Sequence, residues 1–565
     1  MEGYGRIIVL INSCQMIQSK IKRFATTIVF LFFLSHAFGF ANINFDAVEL
    51  TLYVNNLHPE TSDLNSGTTK DKPLLTLQHA LELSKNIPTR IILSSGHYRS
   101  YIDINTAKLL IIEAEIPGEV FITGSDVFEK WKREGGLYYH DWFYSWGFFD
   151  DSDFCFGPCN LSDYQRRREM VFINSEPVLQ VMNKDDLDEN CFFVDEEKNR
   201  IFLKPSQETD LENSLVEVAT RGYDVYDLGR NGSLVRATVH QGQGLVLRGL
   251  VFQHTANTMH QDALTIFGTE NLLIEDCIFQ WNNGVGLELE KCSNVMINNI
   301  ILRDNGERGM GSWNGINVHM KYVSIYGNNW RANASKIIAH DAAGIKVFGG
   351  NRNIILENLR VFNNYCHAIW FDWDNKDYII KNSLIENNQE AGIMLEGSRK
   401  TGMVENCVIK NNDIGIKGYG HANVSIKNSI IYSNNQQLSL GQDGRIVKED
   451  ENWEINSENW RLFSNLIIAT EEHQTLFNFF EYSNPDKPST WASTDFITTL
   501  QADNNIYYHP SNKKQFPDGK QMQGGQLNFK KWKKKTGQDQ NSVWEFTDPL
   551  INQSGSDIDD MQSND

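Results

Sequence analysis

The chain reads as all-β, a right-handed parallel β-helix, and three features of the sequence lead there. Paired asparagines recur at 282/283, 328/329, 363/364, 387/388, 411/412 and 434/435, with Asn305 where a further pair would fall. The steps are about 23–24 residues, apart from an expansion around WRANASKIIAHDAA, and a period of that size marks a solenoid whose units must stack to bury their apolar faces. Within the repeats, runs such as NIILENLRVF, DYIIKNSLIE and NVSIKNSIIY alternate Ile, Leu and Val with polar residues and are punctuated by Asn and Gly, the pattern of short strands. Helical spacing and a leucine-rich-repeat consensus are both absent. Stacked asparagines suit the turns of such a coil, because they tolerate left-handed backbone and can hydrogen-bond along the stack.

The elements follow in chain order. Lys20, Lys22 and Arg23 precede the apolar run FATTIVFLFFLSHAFGFA, so residues 1–41 read as a secretory signal and the protein is expected to be secreted or periplasmic. Met16 is a plausible start of that signal. Residues 48–119 form an N-terminal cap and first coils, with TLQHALELS as an amphipathic helix covering the open end of the solenoid, whose strand edges and apolar face need a lid. Residues 120–222 break the period and read as a β-rich insertion. The β-helix core with its groove spans 223–440, C-terminal coils and an extension span 441–552, and the polar, acidic 553–565 is a disordered tail.

Composition narrows the partners. A formal charge of -20, from 72 acidic and 52 basic residues, disfavours nucleic acid or an anionic membrane surface. An uncharged ligand, or a calcium-assisted one, fits better, with no membrane role beyond export. Cys155 and Cys159 in CFGPC are close enough to pair in an oxidising compartment, whereas Cys277, Cys292, Cys366 and Cys407 occupy apolar repeat positions and read as buried thiols. No spacing specifies zinc, no compact Asp/Asn cluster specifies calcium, and no cofactor is called for. Asn160, Asn231, Asn333, Asn423 and Asn552 head sequons that matter only in a eukaryotic secretory pathway.

The repeat places chemistry on one face. Aligning GIKVF, AIWFD, GIMLE and GIKGY stacks Ile345, Ile369, Ile393 and Ile416 inward. It turns Lys346, Phe348, Trp370, Asp372, Met394, Glu396, Lys417 and Tyr419 outward. Two carboxylates one coil apart are what glycoside hydrolysis needs, one to protonate the leaving oxygen and one to attack or to activate water. The plainer alternative is a pair of solvated acids facing water. Trp370 and Trp373 bracket Asp372 and suit stacking on a sugar ring or packing on loops. His367, His340 and Asp341 lie near the groove by register, and Lys346 stands beside the acids. Glu288 and Glu290, in the same register on an earlier coil, read as solvated acids held in reserve.

Several phrases carry a family resemblance: GTTKDKPLLTLQHAL with IILSSGHY, REMVFINSEPVLQV, GLVFQHTAN, AAGIKVF, HAIWFDWDN, GIMLEGS and FKKWKKKTGQDQNS. Together, from about residue 50 to 550, the chain resembles secreted β-helix glycoside hydrolases of families 120 and 141. The resemblance implies hydrolysis with the Asp372 carboxylate as nucleophile and Glu396 as acid/base; it assigns no role to His254 and Asn257. Two other readings stay open from the residues: a β-helix polysaccharide lyase with a Lys346, Lys417 or Tyr419 base, and a non-catalytic carbohydrate-binding solenoid.

Overall fold

The computed structural model describes residues 41–147, 161–222, 232–335, 342–442, 446–447, 453–454, 457–481, 493–511, 514–518 and 527–550. The signal segment, the CFGPC pair, His340, Asp341 and the tail therefore lie outside the described residues, Ala41 excepted. Among the described residues, no helix is long and apolar enough to cross a membrane.

Three parallel sheets of thirteen, eleven and thirteen strands wind along one axis. One coil shows the plan: Ala343–Phe348 lies in sheet II, Arg352–Glu357 in sheet I and Arg360–Phe362 in sheet III, after which His367–Asp372 returns to sheet II. The register is that of the repeat, with Ile345 opposite Ile369, Ile369 opposite Ile393 and Ile393 opposite Ile416. All four are fully buried in one continuous core. The thiols of Cys277, Cys292, Cys366 and Cys407 are likewise buried.

The asparagines divide into two jobs. Asn282, Asn305, Asn328, Asn364, Asn388, Asn412 and Asn434 form a buried ladder, each Nδ2 donating to the next Oδ1 at 2.9–3.1 Å. The residue just before each ladder position takes left-handed backbone: Asn363, Asn387 and Asn411 in three coils, and Trp281, Asp304, Gly327 and Ser433 in the others. The pairs in the sequence thus mix a ladder residue with either the residue before it or the residue after it.

The ends are closed as amphipathic residues dictate. The helix Leu77–Ser84, N-capped by Thr76, buries Leu77, Ala80 and Leu81 at one end. Near the other, the helix Phe529–Thr536 is capped by Asn528 and Gly537 and buries Trp532, whose indole N–H donates to Asp539 Oδ2 at 2.8 Å.

Val120–Thr123 belongs to sheet III, so the inserted sheet begins at Ser125–Val127 and closes at Val216–Ala219. Its eight strands pair antiparallel except Glu176–Gln180 with Cys191–Asp195, and they enclose a separate core of Val171, Phe192, Ile201, Leu203 and Val218. Phe172 fixes it to the coil: its ring stacks on His254 with centroids 3.7 Å apart and meets Trp281 edge-on at 6.3 Å. Asn257 braces the same turn, accepting from Thr255 Oγ1 and donating to the Gln261 carbonyl, both at 2.7 Å. His254 and Asn257 therefore build the dock.

Candidate active site

Phe371 pairs with Leu395 on neighbouring strands of sheet II, so Asp372 and Glu396, the next residue on each, leave the same face one strand spacing apart. Left-handed turns follow both acids. Trp373 and Asp374 take φ of 58° and 53°, and Gly397 takes 58°. Trp373 N–H bonds the Glu396 carbonyl at 3.2 Å, and Asp374 N–H bonds that of Gly397 at 2.9 Å. A side chain at Gly397 would meet the Trp373 ring at 3.1 Å, so this glycine makes room for the indole. Asn375 closes the turn by donating to the Asp372 carbonyl at 2.8 Å, and Ser398 Oγ donates to the Asn375 carbonyl at 2.7 Å. The WDN and EGS ends of the two motifs are thus one interlocked corner that holds the acids.

Trp370 ties the acids together. Its indole N–H donates to Glu396 Oε2 at 3.1 Å, while the Lys346 ammonium lies 3.8 Å from its ring centroid and 3.1 Å from Asp372 Oδ2. The expectation that the outward set stays exposed is corrected for four of its eight members. Lys346, Trp370, Met394 and Glu396 are all buried and pack on one another, the Lys346 ammonium over the Trp370 ring, Glu396 on its N–H, and Trp370 and Met394 clustering with Ala343 and Ala391. Trp370 is only 6% exposed, with its indole packed between Lys346 and Glu396. Asp372 keeps 20% of its side chain exposed against 7% for the whole of Glu396.

Other expected residues fall into place around the pair. His367 is buried, takes the Ala391 N–H at Nδ1 (3.2 Å), pairs through Nε2 with Glu390 (2.8 Å) and sets its ring edge-on to Trp370. Phe348 and Tyr419, both half-buried, flank Asp372 and Glu396 in register. Lys417 is half-buried, 5.7 Å from the Phe480 ring, which in turn stacks on Tyr419 at 5.8 Å. Among the described residues, no group of three or more His, Cys, Asp or Glu is placed to hold a metal.

Sequence reasoning missed Trp313, Phe480, Glu390 and Arg308, whose guanidinium lies 5.7 Å from the Phe348 ring centroid. Trp313 pairs with Phe348 and so extends the column of Asp372 by a further coil. Counting back from Phe348 finds it only if the expansion containing the helix Trp330–Ser335 is skipped.

The solvated reading of Glu288 is also corrected. Glu288 is 5% exposed, and its carboxyl occupies the space a side chain at Gly311 would take. Burial raises it well above the usual carboxylate range, reinforced by Asp262, Glu290 and Glu307 and opposed by Arg308. Burial likewise raises Glu290, which is half-buried, and pushes Asp262 up to about 7 against its bond from Thr265. Burial also disfavours charge on Glu307, yet His260 and Arg308 hold it down at about 2. Glu288 and Glu290 lie two coils, and Asp262 three, before Lys346 in the same sheet.

The architecture is that of a right-handed parallel β-helix, and a family model for the right-handed β-helix region matches residues 251–435. No curated protein matches the chain. Among solved structures, XylC in complex with xylose is similar over 88% of this chain and 87% of its own, with a TM-score of 0.64 at 15% identity. The A-module of the Azotobacter vinelandii mannuronan C-5 epimerase AlgE6 gives 0.47 at 13% identity, over 83% of this chain and 92% of its own. The catalytic domain of a family 87 α-1,3-glucanase gives 0.43 at 9%, over 83% and 66%.

Proposed function

We propose that the protein is an exported, retaining glycoside hydrolase of oligo- or polysaccharides, with Asp372 as nucleophile and Glu396 as acid/base. The observation that carries this reading is the placement of two carboxyl groups on the same face of adjacent strands, in different surroundings. Asp372 is partly open and paired to Lys346; Glu396 is buried under the Trp370 N–H. Parallel strands lie about 4.7–4.9 Å apart. Retaining glycosidases hold their carboxyl groups about 5–5.5 Å apart, whereas inverting ones need about 6.5–9.5 Å to admit a water.

In this mechanism the Glu396 proton goes to the glycosidic oxygen as the Asp372 carboxylate bonds to the anomeric carbon and the leaving group departs. Glu396 then takes a proton from water, whose oxygen displaces Asp372 and restores both acids. Lys346 compensates the charge on Asp372 before it attacks and again after it is released, and Trp370 keeps Glu396 oriented. A lyase needs a base free to take a proton from carbon, and Lys346 is instead engaged with Asp372 and the Trp370 face.

The test is turnover of a panel of aryl glycosides and plant or algal glycans, with an aryl β-xyloside first because the XylC neighbour holds xylose. Products with two saturated ends support the proposal; an unsaturated sugar product, or binding without turnover on every member, refutes it.

A further inference from the structure

The two acids stand in the middle of a column. Along the C-terminal ends of sheet II strands, Trp313 pairs with Phe348 and Phe348 with Asp372; beyond Glu396 come Tyr419, Gly441 and Phe480, one to a strand. All four rings are half-buried and so partly open. The equivalent column of sheet I holds Lys321, Glu357, Lys381, Glu405 and Lys427 on consecutive strands, with Lys381 paired to Glu357 at 3.3 Å and Lys427 to Glu405 at 3.0 Å. That is the outer face of a coil that meets water. Stacking of coils therefore does not call for rings at these positions, and partly open rings in a row on both sides of two carboxyl groups mark a ligand groove.

The two end rings lean toward the acids. Phe480 lies back over Gly441, where any side chain would run into its ring, and stacks on Tyr419 with centroids 5.8 Å apart. Gly441 does not take left-handed backbone, so its lack of a side chain serves the ring. At the other end, a side chain at Gly349, the residue after Phe348, would run into the Trp313 indole, which therefore leans forward by one strand. An ammonium stands beside each end ring, that of Lys291 at 4.8 Å from the Trp313 centroid and that of Lys417 at 5.7 Å from the Phe480 centroid. Each can donate to hydroxyl groups of a chain lying on the rings.

Trp313 and Tyr419 are four strand spacings apart with the acids between them. At the spacing of parallel strands that is about 19 Å, the length of roughly four sugar units in an extended chain. We infer that the column is a chain-binding groove that seats a linear glycan along the axis of the coil, with sugar units on both sides of Asp372 and Glu396. Trp313 and Phe348 hold the units on one side, Tyr419 and Phe480 those on the other. The inference rests on the hydrolytic reading of the two acids, and under it the bond that is cut lies inside the chain. A substrate that ended at the acids would leave the rings of one side unused.

Crystals of the full chain carrying Glu396→Gln, soaked in xylohexaose, cellohexaose, mannohexaose or laminarihexaose, test the seating directly. At least one chain is expected along the column, with sugar rings against both Phe348 and Tyr419; no bound chain with any of the four, or units on one side of the acids alone, would overturn the proposal. In solution, the affinity of the Glu396→Gln protein for that hexaose, relative to the disaccharide of the same sugar, should fall about fivefold on adding Trp313→Ala or Phe480→Ala. A ratio unchanged by both, with melting temperatures showing that both proteins are folded, would also overturn it. The hydrolytic reading fails separately. A hexaose seated across the acids yet left whole by the wild-type protein refutes hydrolysis and retains the groove, whereas release of monosaccharide from one chain end alone retains hydrolysis and overturns the groove.

Discussion

The coil and the sheet inserted into it solve the problem of burying strands in opposite ways. In the coil, each residue sits beside its equivalent one repeat away, so Ile345, Ile369, Ile393 and Ile416 stack and a single period specifies every contact. The inserted sheet repeats nothing. Its strand order joins Ser125–Val127 to Val216–Ala219 across some ninety residues, and it is fastened to the coil by single contacts such as Phe172 on His254. The coil thus distributes its stability over many similar rungs, whereas the dock concentrates it in a few side chains. The candidate acids use the first arrangement.

This contrast can be broken or sharpened by mutation. The largest effect is expected on the chemistry that the rungs align: Asp372→Asn or Glu396→Gln should each lower turnover by about 10⁴-fold, equivalent to about 5 kcal/mol of transition-state stabilisation. Both should keep the wild-type unfolding midpoint within a few degrees. Turnover near wild type in either variant would remove that residue from the mechanism. Next, Phe172→Ala should cost about 3–5 kcal/mol, felt locally. Limited proteolysis should cut within residues 125–219 while the coil survives, and loss of the whole fold at once would show that dock and coil are one cooperative unit.

Loss of a single rung contact should cost less. Asn364→Ala removes the acceptor for both the backbone N–H and the Nδ2 of Asn328, at 3.2 and 2.9 Å, and should lower stability in urea by about 2–3 kcal/mol. Its neighbour Asn363, exposed and left-handed at 54°, should cost about 1 kcal/mol as Ala through backbone strain alone. Equal losses at the two positions would deny the ladder its role.

Acid should distinguish the regions by sign. Burial holds His254 down at about 3, against Glu217. Below the ordinary value of 6.5 the unfolded chain therefore binds a proton that the folded dock refuses, and stability falls as pH drops from 6.5 toward 3, by up to about 1.4 kcal/mol per unit. Asp262 on the coil runs the other way. Burial raises it from 3.8 to about 7, so its contribution is complete below 3.8 and is lost as pH rises through 7. His254→Asn, which suits the left-handed turn, should flatten the acid limb of the stability profile, and an unchanged limb would contradict a buried neutral imidazole.

What the sequence disclosed follows the same division. The coil architecture, its helical lid, the buried thiols and the adjacency of Asp372 and Glu396 were legible because they depend on period and alternation. Which outward residues stay wet was not. Alternation says that Lys346, Trp370 and Glu288 leave the core, but not that Lys346 lies over an indole or that Glu288 fills the space above Gly311. Those outcomes depend on side-chain reach across several rungs. The insertion offers no period to count, so from the sequence it reads as starting at 120, although Val120–Thr123 completes a coil. Trp281 was visible in the sequence beside Asn282, yet its strain appears only when the turn's backbone is known.

The central claim is that two carboxyl groups one coil apart act as a retaining pair. Proton NMR of the anomeric signals during the first minutes of hydrolysis of an aryl glycoside tests it most directly. A first-formed sugar with the configuration of the substrate, the other anomer growing in only by mutarotation, is the predicted result; initial appearance of the inverted anomer would contradict the assignment of Asp372 and Glu396.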